Sequence, residues 1–185
     1  MSRLAIYNEQ GTRLGDVLTE HKLIAAQLQP LGVRFERWQS SQTFSKGAQQ
    51  EEVLAVYGEQ VRRLSNEYGF QSMDVVSVQP DNPKRDELRA KFLAEHMHSD
   101  FEVRFFVAGA GLFYLHVADK VYLVLCEQGD LISVPANVRH WFDMGKIPDF
   151  KCIRLFVIAD GWVAQFTGSD IAQLFPDFDE FVGQA

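Results

Sequence analysis

With 185 residues, 46% of them hydrophobic and 23% charged, the chain is long enough to bury the core of one domain, and its composition excludes the disordered and fibrous classes. A formal charge of −7 argues against a nucleic-acid partner, and no run approaches the roughly eighteen apolar residues of a membrane span. The N-terminus is polar by Asn8 and lacks the apolar run of an export signal, so the expected setting is cytoplasmic, with neither nucleic acid nor membrane as partner.

Residues 3–7 form a short apolar run suited to an edge strand. A helix is predicted over 16–28, with Val17, Leu18, Ile24, Ala25 and Leu28 as its apolar stripe and Pro30-Leu31-Gly32 as its stop. Residues 33–38 alternate and read as a strand. After Gly47 a second helical pattern places Val53, Leu54, Tyr57, Val61 and Leu64 on one face and closes at Gly69. Residues 74–78 are a β-branched strand stopped by Pro80 and Pro83, and 85–93 has helical spacing, with Leu88 and Phe92 four apart. Beyond Phe101, apolar runs alternate with turn residues at 108–111, 118–120, 127–130 and 145–146, the pattern of antiparallel strands in a meander or barrel. Cys126 and Cys152 each lie inside such a run and are expected as buried, reduced thiols. The tail carries Trp162, Phe166, Phe175, Phe178 and Phe181 and is expected to pack back on the barrel. The predicted organisation is one mainly β domain over 1–185: helices and flanking strands to about 93, a metal-bearing barrel core over about 94–160, and a C-terminal cover over about 161–185.

Residues 95–104, Glu-His-Met-His-Ser-Asp-Phe-Glu-Val-Arg, place two imidazoles and a carboxylate within seven residues. Side chains two apart on a strand share a face, so His96 and His98 can point into one interior; parity adds Glu102, Arg104 and Phe106 if one unbroken strand runs through the block. The second block, 129–140, reads as a strand, a turn on Pro135 and Asn137, and a return strand from His140 that turns Phe142 inward as well. Imidazoles with a carboxylate suit iron, nickel, manganese or zinc, which makes His96, His98, Glu102 and His140 the candidate ligand set. Phe101 and Phe105, of opposite parity, are expected on the outer face. Glu95, Asp100 and Phe101 flank the ligands and could support them from behind, with solvated charge as the competing reading for the two acids. His116, alone in an apolar strand, reads as a core residue, and His21 as an exposed side chain on a helix.

The spacings His96-x-His98-x3-Glu102-x6-Gly109 and Gly129-x5-Pro135-x4-His140 resemble the paired motifs of the cupin superfamily, double-stranded β-helix (jelly-roll) barrels with a metal in the mouth. Ala90 and Asn137 stand where cupins usually have glycine and Met144 where they usually have asparagine, and none of the three is a ligand position. The longer match, Glu95 to Phe105 and Pro135-Ala136-Asn137-Val138-Arg139-His140-Trp141-Phe142, extends over nearly the whole chain and is similar to the bacterial form of the acireductone dioxygenase family of methionine salvage. That resemblance implies a cupin barrel with N-terminal helices packed outside, one Fe(II) or Ni(II) on His96, His98, Glu102 and His140, and Arg104 assisting substrate ionisation and binding. It implies cleavage of acireductone (1,2-dihydroxy-3-keto-5-(methylthio)pentene) by O2, with products set by the metal. The iron form gives formate and 2-keto-4-methylthiobutyrate; the nickel form gives formate, carbon monoxide and methylthiopropionate. Phe92, Phe106, Phe142 and Trp162 are candidates to wall the pocket around the methylthio tail. The residues themselves leave open another cupin isomerase or dioxygenase on a different small oxygenated substrate, or a non-catalytic metal-binding cupin. A closed barrel without free strand edges leads to the expectation of a monomer.

Overall fold

A computed structural model describes residues 1–38, 44, 48–158 and 163–184. Trp162 lies outside the described residues. In chain order the elements are β1 (Arg3–Asn8), α1 (His21–Leu28) with a 3-10 turn (Gln29–Leu31), β2 (Arg34–Arg37), α2 (Gln50–Val56), α3 (Gly58–Tyr68), β3 (Ser72–Val78) and α4 (Arg85–Leu93). There follow β4 (His96–Met97), β5 (Glu102–Val117), β6 (Lys120–Glu127), β7 (Asp130–Val134), β8 (Arg139–Asp143), β9 (Phe150–Phe156), β10 (Gln165–Phe166), a second 3-10 turn (Ile171–Leu174) and α5 (Phe178–Gly183).

The strands form two antiparallel layers that share β5. Its first half pairs with β7 and β9, which carry β2 and β3 on their far sides; its second half pairs with β6 and β8, flanked by β1 on one side and by β4 and β10 on the other. Phe35, Phe106, Phe113, Ile132, Phe142 and Phe150 meet between the layers as the inner core. This is the double-stranded β-helix of cupin type, in a β-rich α+β chain. The layers do not close into a ring, since β1 and β10 end the pairing path, so the closed-barrel premise is corrected. The β1 edge is instead covered by isolated bridges from Leu18 to Leu4 and from Arg13 to Tyr7.

Those bridges explain why α1 starts at His21 and not at 16. The backbone of Leu18 exchanges both hydrogen bonds with Leu4, at 2.9 and 2.8 Å, which commits it to extended geometry. From His21 onward Ile24 and Leu28 are fully buried in the inner core. The second predicted helix is divided at Tyr57 into α2 and α3, and Val53, Tyr57, Val61 and Leu64 cover the outer face of the β7/β9 layer against Val103, Phe105 and Leu155. Phe175 and Phe181 from the tail pack on the outer face of the other layer beside Tyr114 and Trp141.

The stretch 108–111, expected as a turn, lies inside the 16-residue strand β5. The register slips between Phe106 and Ala108, where a β-bulge inserts a residue. Arg104 and Phe106 face inward before the bulge; after it Phe113 and Leu115 do, while Leu112 and Tyr114 face out. Gly109 makes this possible: its φ is +71°, and a Cβ there would stand 1.8 Å from the Asp149 carbonyl oxygen. Small residues that mark a turn in sequence here mark the bend by which one strand serves two layers. Gly109→Ala is expected to destabilise the fold by about 3 kcal/mol through the combined clash and left-handed strain, read as a lower urea midpoint at unchanged slope.

Candidate metal centre

His96 opens β4 and lies directly across from His140 on β8, so the two blocks of the sequence meet as one strand pair. The block is not one continuous strand. Residues 98–101 turn between β4 and β5, with Asp100 accepting hydrogen bonds from the backbone N–H of Phe101 at 2.7 Å and of Val157 at 3.1 Å. The second block closes on the same turn: the N–H of Asn137 donates to the His98 carbonyl at 2.7 Å. Asn137 adopts φ +62°, a left-handed conformation that asparagine tolerates better than most residues, which accounts for its standing in a glycine position.

Each of the three imidazoles has its Nδ1 against a carbonyl oxygen: His96 on Ala94 at 2.7 Å, His140 on Val138 at 2.7 Å and His98 on Val163 at 3.1 Å. A carbonyl only accepts, so Nδ1 carries a proton and Nε2 faces the centre, where a metal ion would take the place of the proton that otherwise bonds Glu102. Glu102 Oε2 stands 2.9 Å from His140 Nε2 and 3.0 Å from His98 Nε2. The four donor atoms lie within 4.8 Å of one another and all four residues are buried. A divalent ion with bonds of about 2.0–2.2 Å fits that spacing with small side-chain adjustment, and three imidazole nitrogens with one carboxylate oxygen are a donor set for Fe(II), Ni(II) or Zn(II).

Electrostatics sharpen the arrangement. Burial alone would raise Glu102, but the Arg104 charge and the bonds from His140 and His98 hold it well below the usual carboxylate range. Burial pulls His98 down, yet the bond and charge of Glu102 outweigh it and raise its proton affinity. His96, buried and beside His140, is pushed down to about 4. Arg104 Nε approaches Glu102 Oε1 to 2.7 Å as an ion pair. The guanidinium lies over the rings of Phe142, Phe113 and Phe92, at 4.5, 5.4 and 5.5 Å from their centroids. It is therefore inside the barrel, next to the ligands. Phe92 reaches the site because α4 is tied to β8: Arg89 donates to both oxygens of the fully buried Asp143, at 2.7 and 2.8 Å.

Phe106 and Phe142 lie in the inner core with ring centroids 6.4 Å apart. Phe113 belongs with them but has the wrong sequence parity, because the bulge between Phe106 and Ala108 reverses the inward face; the glycines at 109 and 111 are the signal that could have exposed it. The three flanking residues have partners other than the ligand imidazoles. Glu95 hydrogen bonds His116 and Thr167, Asp100 shapes the turn, and Phe101 packs edge-on against Tyr68 on the outer side. His116 is buried with carboxylates at both ring nitrogens, and His21 is half-buried, stacked on Phe35 at 4.7 Å, and not simply exposed. Cys126 and Cys152 are free and buried.

The fold and this donor set define a cupin metalloprotein. A family model described as "ARD/ARD' family" matches residues 3–164. Among curated relatives, acireductone dioxygenase of Methylococcus capsulatus is 58% identical over 182 residues, covering 98% of both chains, and that of Aquifex aeolicus is 56% identical over 182 residues, covering 98% of this chain and 99% of the other. A solved structure, acireductone dioxygenase from Bacillus anthracis with cadmium ion in the active centre, aligns with a TM-score of 0.77 at 31% identity, covering 90% of this chain and 98% of that one. The chain belongs to the acireductone dioxygenase (ARD/ARD') family.

In metal-free protein, Glu102→Gln removes the charge that does most to raise His98 and leaves burial opposed mainly by the bond to the Val163 carbonyl. The His98 titration, followed by imidazole NMR shifts, is expected above 6.5 in the parent chain and lower in the variant than in the parent; an unchanged midpoint would overturn the role given to Glu102.

Proposed function

We propose that the protein is an acireductone dioxygenase, in which His96, His98, Glu102 and His140 hold one Fe(II) or Ni(II) and Arg104 is the catalytic cation. The observation that carries this reading is the buried Arg104 guanidinium beside three convergent Nε2 atoms and Glu102, in a chain 58% identical over its length to a protein of that name. The bound ion would act as Lewis acid and template for the enediol oxygens of the substrate, leaving the choice of carbon–carbon bonds cleaved by O2 to the metal's identity.

The chain's own residues supply charge and shape. Three neutral imidazoles and one carboxylate bring a divalent ion to a net charge of about +1, and Arg104 adds one more, so an acireductone dianion would be neutralised in the pocket. Arg104 favours loss of the substrate's proton by stabilising the anion that remains. The aromatic rings around Arg104 exclude water and lower the local dielectric, which strengthens that attraction. Phe92, Phe106 and Phe142 offer apolar surface to the methylthio tail, and Trp162 is retained as a candidate wall residue on the sequence alone.

The same reading treats the whole chain as one cupin domain and as a cytoplasmic monomer without nucleic-acid or membrane partners. The free buried cysteines, the charge of −7 and the covered β1 edge support it. No helix among the described residues is long and apolar enough to cross a membrane.

Separate reconstitution of apoprotein with Fe(II) and Ni(II), followed by product analysis with acireductone and O2, is expected to give keto acid and formate from the first and carbon monoxide, formate and methylthiopropionate from the second. Absence of metal-dependent oxygen uptake in both would overturn the assignment. Arg104→Ala is expected to keep its metal and lose about a hundredfold in kcat/KM, roughly 2.7 kcal/mol of transition-state stabilisation.

A further inference from the structure

The segment 163–167 is largely exposed, yet it forms the outer wall of the candidate centre. Val163 offers its carbonyl to His98 Nδ1 at 3.1 Å, and β10 pairs with β4 so that Phe166 lies across from His96, with its ring edge-on to that imidazole at 5.7 Å. Val163 and Phe166 are 68% and 54% exposed, so apolar burial contributes little to keeping this strap in place. A two-residue strand is similarly weak by itself.

Its anchor is Glu95. Thr167 Oγ1 donates to Glu95 Oε2 at 2.6 Å, and Thr167 N–H donates to the Glu95 carbonyl at 3.1 Å. The carboxylate is buried, and its other oxygen lies 2.5 Å from His116 Nδ1, whose Nε2 is 2.9 Å from Glu9 Oε1. A buried carboxylate fixed from behind by an imidazole is a rigid acceptor, and a hydroxyl bond to a charged group is stronger than one between neutral partners. We propose that Glu95, held by His116, anchors the strap through Thr167 and so sets how long the centre retains its metal, with Thr167 and His116 as positioning residues that touch neither metal nor substrate. The strap governs retention because His98 can rotate away from the ion once Val163 leaves it, and the first broken bond is the start of metal loss.

The inference rests on the metal reading above, and its test needs only the ion. Protein loaded with Ni(II) is mixed with excess chromogenic chelator and the release rate measured. Thr167→Val, a near-isosteric change at an exposed position, is expected to release nickel about tenfold faster, whereas Thr167→Ser, which keeps the hydroxyl, stays within about twofold of the parent. Tyr114→Phe removes the bond to the Pro176 carbonyl and loosens the tail elsewhere; it is expected to leave release unchanged. Equal rates in the parent and Thr167→Val, or equal acceleration by Tyr114→Phe, would overturn the anchor while leaving the metal reading in place. A parent protein that retains no nickel would overturn both.

Discussion

A strand that belongs to two layers must change which of its residues face inward, and β5 does so at the bulge before Gly109. Everything that gathers at the centre depends on that change. Ahead of it Glu102 and Arg104 enter the interior from the layer of β7 and β9; behind it Phe113 enters from the layer of β6 and β8 and meets the guanidinium from another side. Without the inserted residue Phe113 would exchange places with an outward neighbour, and Arg104 would lose one of the rings that shield it from water. The bend also brings β8 alongside the second half of β5, with Leu115 opposite His140, and so delivers the fourth ligand.

Around this scaffold the charges are arranged as a chain of dependence. Burial works against an ionised Glu102; Arg104 first, with the bonds from His140 and His98, keeps it so, and the ionised carboxylate in turn favours protonated His98 when no metal ion is bound. Proton and metal therefore compete for one space. The same logic appears away from the centre: Asp143 accepts from Arg89, from Gly145 N–H and from Phe178 N–H, so one buried carboxylate joins α4, β8 and the start of α5. Buried charges in this protein mark the places where separate elements meet.

How far this was legible in the sequence differs from residue to residue. Local rules served well where a pattern was periodic and uninterrupted: β3, β6, α4 and the apolar face of α2 and α3 follow from side-chain spacing. Alternation placed Arg104 with His96, His98 and Glu102 although β4 and β5 are separate strands, because the turn between them restores the phase. It failed at 108–111, since glycine and alanine look alike whether the chain reverses or merely bends. It also gave no hint of Thr167, Val163 or Glu9, whose relation to the ligands depends on pairing between strands far apart in sequence. Glu95 and Asp100 show a related limit: both flank the ligands in sequence, but their partners, His116 and Thr167 for the one and the N–H groups of Phe101 and Val157 for the other, come from turns and strands that spacing alone does not place.

The three carbonyls that orient the histidines differ in their distance along the chain. His96 and His140 each use a carbonyl two residues back, so their ring orientation is encoded locally, just ahead of their strands; His98 uses Val163, sixty-five residues on. Two imidazoles carry their orienting carbonyls beside them in the chain, while the third gains its own only when the segment around Val163 docks along β4. Tight capture of a divalent ion then becomes a property of completed molecules. A chain lacking the segment around Val163 would keep all four ligand side chains but hold His98 without the carbonyl that aims it, so the order in which the polypeptide folds bears on when it can be charged with metal.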